Sequence, residues 1–212
     1  MIKSRIVYVI LLGLLLLLGF TYYPKHTLGG GEATISWDVS GYYWYLPAAF
    51  IYHDLRGLSF SDSLRDAYGC SPDNQQITIL PDGKKVLKYS SGMALQYLPF
   101  FLLAHTLAPH LGYPADGLSP PYQYAVFLGA LVMMSIGLWY LQKVLLRYFQ
   151  DKTVALLLIC VTLGTNYLDY TTIDVGMTHA WLFAWYALLL YQCDTFYQSP
   201  HWKRAIGIGC IS

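Results

Sequence analysis

G-M-A-L-Q-Y-L-P-F-F-L-L-A-H-T-L-A-P-H, residues 92–110, is the stretch on which the fold turns. If it crosses a bilayer together with the other apolar runs, Lys143, Arg147 and Lys152 fall outside, as do Lys203 and Arg204. The loops at 111–120 and 170–176, which carry no Lys or Arg, then fall inside. That arrangement inverts the positive-inside rule. The stretch holds Pro99 and Pro109 and the polar Gln96, His105 and His110. Its clean apolar core is about 16 residues, short of the roughly 20 that a spanning helix needs. We therefore read 92–110 as a helix lying in the membrane interface, and Lys3, Arg5, Lys143, Arg147, Lys152, Lys203 and Arg204 become cytoplasmic.

The rest of the chain fits this frame. With 56% hydrophobic, 12% charged and 17% aromatic residues in 212, the composition is too apolar for an ordinary soluble domain and reads as an α-helical polytopic membrane protein. A net charge of +1 with scattered Lys and Arg gives no footprint for nucleic acid. Residues 6–23 follow Lys3 and Arg5 and end in Phe-Thr-Tyr-Tyr-Pro rather than a small-residue cleavage site, so they read as an uncleaved first span with a cytoplasmic N-terminus. Further spans are expected at 121–142, 153–168 and 177–195, with a last one from 205 cut off at 212. Cys160, Cys193 and Cys210 lie in apolar runs and Cys70 in a polar region, with neither a disulfide framework nor zinc spacing.

Residues 24–120 then form a long outer loop. Trp37-Asp-Val-Ser-Gly-Tyr-Tyr-Trp-Tyr45 opens it with one carboxylate, Asp38, at the head of an aromatic run. A helix over 39–56 is expected there, lying in the interface with its Trp and Tyr rings at the wet edge and bent at Pro47. Residues 59–75, with Ser-Pro and Asp-Asn turn signals, read as a loop. Gln76-Ile-Thr-Ile-Leu80 and Lys84-Lys-Val-Leu-Lys-Tyr89 alternate on either side of Pro81-Asp82-Gly83, which predicts a short β-hairpin. Its second strand feeds Lys88 and Tyr89 into the entrance of the 92–110 helix.

In this topology Asp38, Lys88, Asp116, Asp169, Asp174 and His179 share the outer side, where carboxylates and a few cations can activate a hydroxyl and hold a phosphate. Each also has a structural alternative. Asp38 suits a helix cap, Lys88 a snorkelling surface position, and Asp174 and His179 the start of a helix. The histidines lack metal-ligand spacing.

The order of these features resembles the N-terminal part of the C-type membrane glycosyltransferases. That superfamily includes protein O-mannosyltransferases, the aminoarabinose transferase of lipid A and bacterial relatives of the dolichyl-phosphate-mannose-protein mannosyltransferases. The resemblance rests on a first span, the Asp soon after it, the aromatic helix, K-Y-S-S-G leading into a proline-bearing apolar segment, D-G-L-S-P-P-Y-Q, and G-T-N-Y-L-D-Y with M-T-H-A downstream. It implies one module over 1–212, with membrane-parallel helices in the first outer loop and a polyprenyl-phosphate sugar as donor. It implies that Asp38 is the catalytic carboxylate, deprotonating or orienting an acceptor hydroxyl outside the plasma membrane. By the same resemblance Lys88 neutralises the leaving phosphate, although K-Y-S-S-G replaces the K-P-P-L pattern of one group, and Tyr89, Asp174 and His179 contact substrate. Many members carry two adjacent acids where Asp38 is followed by Val39, so a single base without a metal or other cofactor is expected. Relatives have further spans, and the chain reads as a fragment of such an enzyme. The competing reading is a polytopic transporter or scaffold without transferase activity. Transporters place ionisable residues at mid-membrane, whereas here the acids cluster at outer ends.

Overall fold

Ser4–Thr21 (α1) shows how the apolar segments fold. Ser4, Val7, Leu11, Leu15 and Gly19 recur at three- and four-residue steps and form its buried stripe. Ile6, Val9, Ile10, Leu16, Leu17 and Phe20 are left exposed on the other faces. The computed structural model describes residues 3–71 and 75–211. The chain divides into two compact units, Met1–Tyr23 with Ala130–Ser212, and Pro24–Gly129.

The first unit contains α1, most of Pro120–Leu145 (α6), Asp151–Gly164 (α7), Tyr167–Thr172 (α8), Thr178–Gln198 (α9) and Trp202–Ile211 (α10). The second contains Trp37–Tyr43 (α2), Tyr45–Phe50 (α3), Ser61–Tyr68 (α4), Gly92–Leu107 (α5), the start of α6, and the strands Ile77–Ile79 (β1) and Lys85–Leu87 (β2). The chain is mostly helical, and the hairpin is the one sheet among the described residues. Among the described residues two helices are long and apolar enough to cross a membrane: α1, whose helical run continues to Thr27, and α6.

A polar knot ties one end of the first unit. The Ser4 amide and hydroxyl donate to one Asp151 oxygen at 3.0 and 2.5 Å, and the Gln142 amide donates to the Ser4 hydroxyl at 3.0 Å. Halfway along, the Tyr167 hydroxyl donates to the Met134 carbonyl at 3.0 Å, which docks α8 on α6. Gly137 lets α6 approach α9 closely, since a Cβ there would lie 2.7 Å from Phe183 and 3.1 Å from the Ala184 backbone.

The span expected at 153–168 is shorter. α7 stops at Gly164 because Thr165 takes an extended backbone, and the Thr165 hydroxyl donates to the Val161 carbonyl at 2.7 Å. Its 14 residues cover about 21 Å, against a hydrocarbon core near 30 Å. The 177–195 span corresponds to α9, in which Thr178, His179, Gln192 and Asp194 dilute the apolar character at both ends. The segment expected to span from 205 is a helix that starts at Trp202 and, at ten residues, is too short to cross a bilayer, and Ser212 lies outside the described residues.

In the second unit the helix expected over 39–56 is two short helices. Pro47 has no N–H for the Tyr43 carbonyl, so α2 ends there and α3 restarts with Pro47 in its first turn, where no donor is needed. The 59–75 loop contains α4, which the sequence reading missed. Its start carries Asp62, paired with Arg65 at 3.1 Å, and its end is Gly69 in the left-handed region at φ +61°. The turn signals at 72–74 lie outside the described residues. The hairpin is as expected, with Ile77 opposite Leu87, Thr78 opposite Val86 and Ile79 opposite Lys85. Gly83 at φ +82° makes its turn. Segment 92–110 becomes α5, ending at Leu107, followed by a 3-10 turn at Pro109–Leu111. Its buried face is Met93, Ala94, Tyr97, Phe101 and Ala104, and Leu95, Leu102, Leu103 and Leu107 are exposed.

Candidate functional site

Asp38 does not cap α2. The capping position belongs to Ser36, whose hydroxyl turns back to the Ala33 carbonyl at 2.6 Å. Trp37, the first helical residue, holds φ at +44°, a conformation of order 1–2 kcal/mol above the ordinary one for a side chain with Cβ. It is held there by the hydrogen bond that its backbone N–H donates to the Cys70 carbonyl at 3.1 Å. The kink carries Asp38 into the first turn, half-buried, and brings its carboxylate to the exit of the hairpin.

There the Gln76 side-chain amide donates to Asp38 Oδ1 at 2.8 Å. Gln76 is 3% exposed, and its own Oε1 is buried with no partner among the described residues. Its backbone carbonyl accepts from the Lys88 amide at 2.9 Å, one pair beyond the Ile77–Leu87 register. The hairpin therefore delivers Gln76, Lys88 and Tyr89 together. Tyr89 is clasped from two sides: the Tyr42 ring lies 4.2 Å away, and the Tyr45 hydroxyl donates to the Tyr89 carbonyl at 2.6 Å. Burial, and then hydrogen bonding with the Asp38 carboxylate, raise the Tyr89 phenol above its ordinary range. Burial and the neighbouring Tyr89 and Asp38 do the same for Tyr42. Both phenols stay neutral and act as donors. The Lys88 ammonium sits 5.0 Å from the Tyr89 ring centre and is exposed, making no ion pair among the described residues.

The expected residues thus divide. Asp38, Lys88 and Tyr89 come together in the second unit. Asp174 and His179 belong to the first, with Asp174 in the turn after α8 and the exposed His179 ring stacked 3.8 Å over Tyr170. Asp116 has a structural task, since one of its oxygens accepts the Leu118 and Ser119 amides at 2.9 Å ahead of α6 and the other accepts the Tyr68 hydroxyl. Gln76 and Tyr42 were missed by the sequence reading. The hairpin register carried the signal for Gln76, because pairing β1 with β2 sets it against Lys88. Among the described residues no three His, Cys, Asp or Glu side chains gather as a metal site.

Chemically, the cluster is a carboxylate held by one amide, with neutral phenols beside it and a mobile cation nearby. A carboxylate so oriented can accept a proton from a hydroxyl, and an exposed ammonium can meet an anionic leaving group. No family model, curated protein or solved structure matches the chain.

Proposed function

We propose that the chain is the catalytic membrane module of a glycosyltransferase that uses a polyprenyl-phosphate sugar as donor. The observation that carries the reading is the half-buried Asp38 carboxylate, fixed by Gln76 at 2.8 Å and bordered by Tyr89 with Lys88 above its ring. The exposed leucine and isoleucine faces of α1 and α5 support a lipid surround, because contiguous apolar surface of that extent is rarely left to water. In the proposed reaction the acceptor hydroxyl gives its proton to Asp38 as its oxygen bonds to the anomeric carbon. The bond from that carbon to the phosphate oxygen breaks with inversion, and the electron pair leaves on the lipid phosphate, which Lys88 neutralises. Tyr89 keeps its proton and lends a hydrogen bond at the carboxylate. Asp174 and His179 have no assigned step in this scheme.

The test uses the protein in its native membrane with a labelled polyprenyl-phosphate sugar. Label passing to an acceptor with release of polyprenyl phosphate supports the proposal. Label that stays on its carrier while the folded protein is present in the membrane removes it in favour of a transporter or scaffold.

A further inference from the structure

A second concavity lies within the Pro24–Gly129 unit, on the other side of Cys70 from Gln76. It has a volume of about 370 Å³ and is bounded by the Gly29-Gly30 turn, Tyr68, Cys70, Tyr113, Leu118 and Tyr124. That size lies within the range of small-molecule sites. None of its lining residues is Asp, Glu, Lys or Arg. Its imidazole, His26, is 3% exposed and packed between Phe127, stacked at 4.0 Å, and Tyr124, edge-on at 4.7 Å. Burial pushes the Cys70 thiol up to about 11, and burial and Asp116 raise the Tyr68 phenol as well, so neither carries charge near neutral pH. A phosphate or carboxylate would therefore enter without a counter-charge, and neutral donors alone offset only part of its desolvation cost.

What the wall offers is of another kind. Tyr113 and Tyr124 are 43% and 39% exposed, and their hydroxyls make no hydrogen bond among the described residues. They present aromatic faces next to free phenol donors and acceptors, over a floor of Leu118 and Ala33. A purely hydrocarbon chain would leave those phenols unmatched, whereas a ring with an apolar C–H face and a rim of hydroxyls satisfies both.

We propose that this pocket binds a neutral sugar ring, as a subsite for an uncharged glycan unit of the acceptor. The role as an acceptor subsite rests on the transferase reading, but the binding itself does not. The wall also connects it to the reaction centre. The Cys70 carbonyl holds the Trp37 amide at 3.1 Å, so the pocket is one residue removed from Asp38.

The experiment is saturation-transfer NMR on the whole chain in detergent micelles, with methyl α-mannopyranoside and methyl β-glucopyranoside as probes. Mannose 6-phosphate and citronellol serve as charged and apolar comparators. The neutral glycosides should receive saturation and mannose 6-phosphate markedly less. The double variant Tyr113→Phe/Tyr124→Phe, which keeps both rings, should reduce the glycoside signal about 3- to 10-fold, the loss expected for one or two hydrogen bonds. The proposal is overturned by an equal or stronger response to mannose 6-phosphate, by a citronellol response without a glycoside response, or by a Phe/Phe variant that binds like the parent. A chain that binds glycosides through these tyrosines yet transfers no sugar keeps the pocket and loses the transferase reading.

Discussion

Gly41→Ala is a sharp test of how the site is held. Gly41 lies in α2 three residues after Asp38, and a Cβ at that position would sit 2.8 and 3.0 Å from the Tyr89 ring and 2.9 Å from the Gln76 Cβ. Ordinary carbon contacts are about 3.5–4.0 Å, so these neighbours must retreat by roughly 0.6 Å or more. Neither can swing aside. The Gln76 Cβ is attached directly to the hairpin backbone, and the Tyr89 ring is packed on Tyr42 with its carbonyl held by Tyr45. Overpacking of this kind costs about 1–3 kcal/mol, and the higher helix propensity of alanine returns up to about 1. A net loss of about 1–2 kcal/mol should lower the thermal midpoint by roughly 2–8 °C for a chain of this size. Both displaced groups orient the Asp38 carboxylate, so sugar transfer should fall about tenfold or more. The assay is intrinsic-fluorescence melting in detergent, with Gly13→Ala as control, because a Cβ at Gly13 meets nothing within 4 Å. A Gly41→Ala protein that melts at or above the parent, while Gly13→Ala is neutral or slightly stabilised, would refute the packing argument.

Other perturbations read different parts of the molecule. Gly137→Ala forces a Cβ to 2.7 Å from Phe183 and should destabilise the α6–α9 crossing by about 1–3 kcal/mol, seen as a lower melting point; an unchanged melt contradicts the close approach. Gln76→Leu removes the amide that orients Asp38, so kcat should drop with the donor KM nearly constant, and a change confined to KM would make Gln76 a binding residue instead. Asp54 is held at about 2 by hydrogen bonds from the Ser59 amide and hydroxyl and the Gly57 amide. Because its folded value lies below the ordinary carboxylate range near 3.9, its contribution is complete above that pH and is lost as pH falls through about 2. Deuterium exchange at the Gly57 and Ser59 amides, corrected for intrinsic rate, should therefore rise between pH 4 and 2. A flat profile contradicts the assignment.

Much of this was legible in the sequence, for identifiable reasons. The hairpin follows from alternation on both sides of Pro81-Asp82-Gly83, and α5 from an apolar run that continues through Pro99 and stops ahead of Pro109. The break at Trp44 was half legible: Pro47 announced a bend, but its place is set by the carbonyl that loses its donor, that of Tyr43, four residues upstream of the proline. Helix α4 was hidden because it is short and mostly polar, with Leu64 as its buried apolar anchor, and its ends are marked only by the Asp62–Arg65 pair, the Lys85 ammonium reaching Asp62 at 3.2 Å and the left-handed Gly69. In the site, Asp38 was visible as the one charge in an aromatic run, and Lys88 as the last cation of the second strand before an apolar helix. Gln76 was not, because an amide at the edge of a strand has no signature until the strand is paired and Trp37 has turned Asp38 toward it. The early stop of α7 at Gly164, where Thr165 takes an extended backbone, is a local conformational choice that hydropathy does not register.

The central claim is that Asp38 takes the proton from the acceptor. The most direct measurement is the initial rate of transfer from a labelled polyprenyl-phosphate sugar, in membranes containing equal amounts of the parent, Asp38→Asn and Asp38→Glu proteins. Asparagine keeps the hydrogen-bonding shape and loses the base, so the rate should fall about 10²- to 10⁴-fold with the protein still membrane-bound, and glutamate should restore part of it. Near-normal turnover by Asp38→Asn would contradict the account.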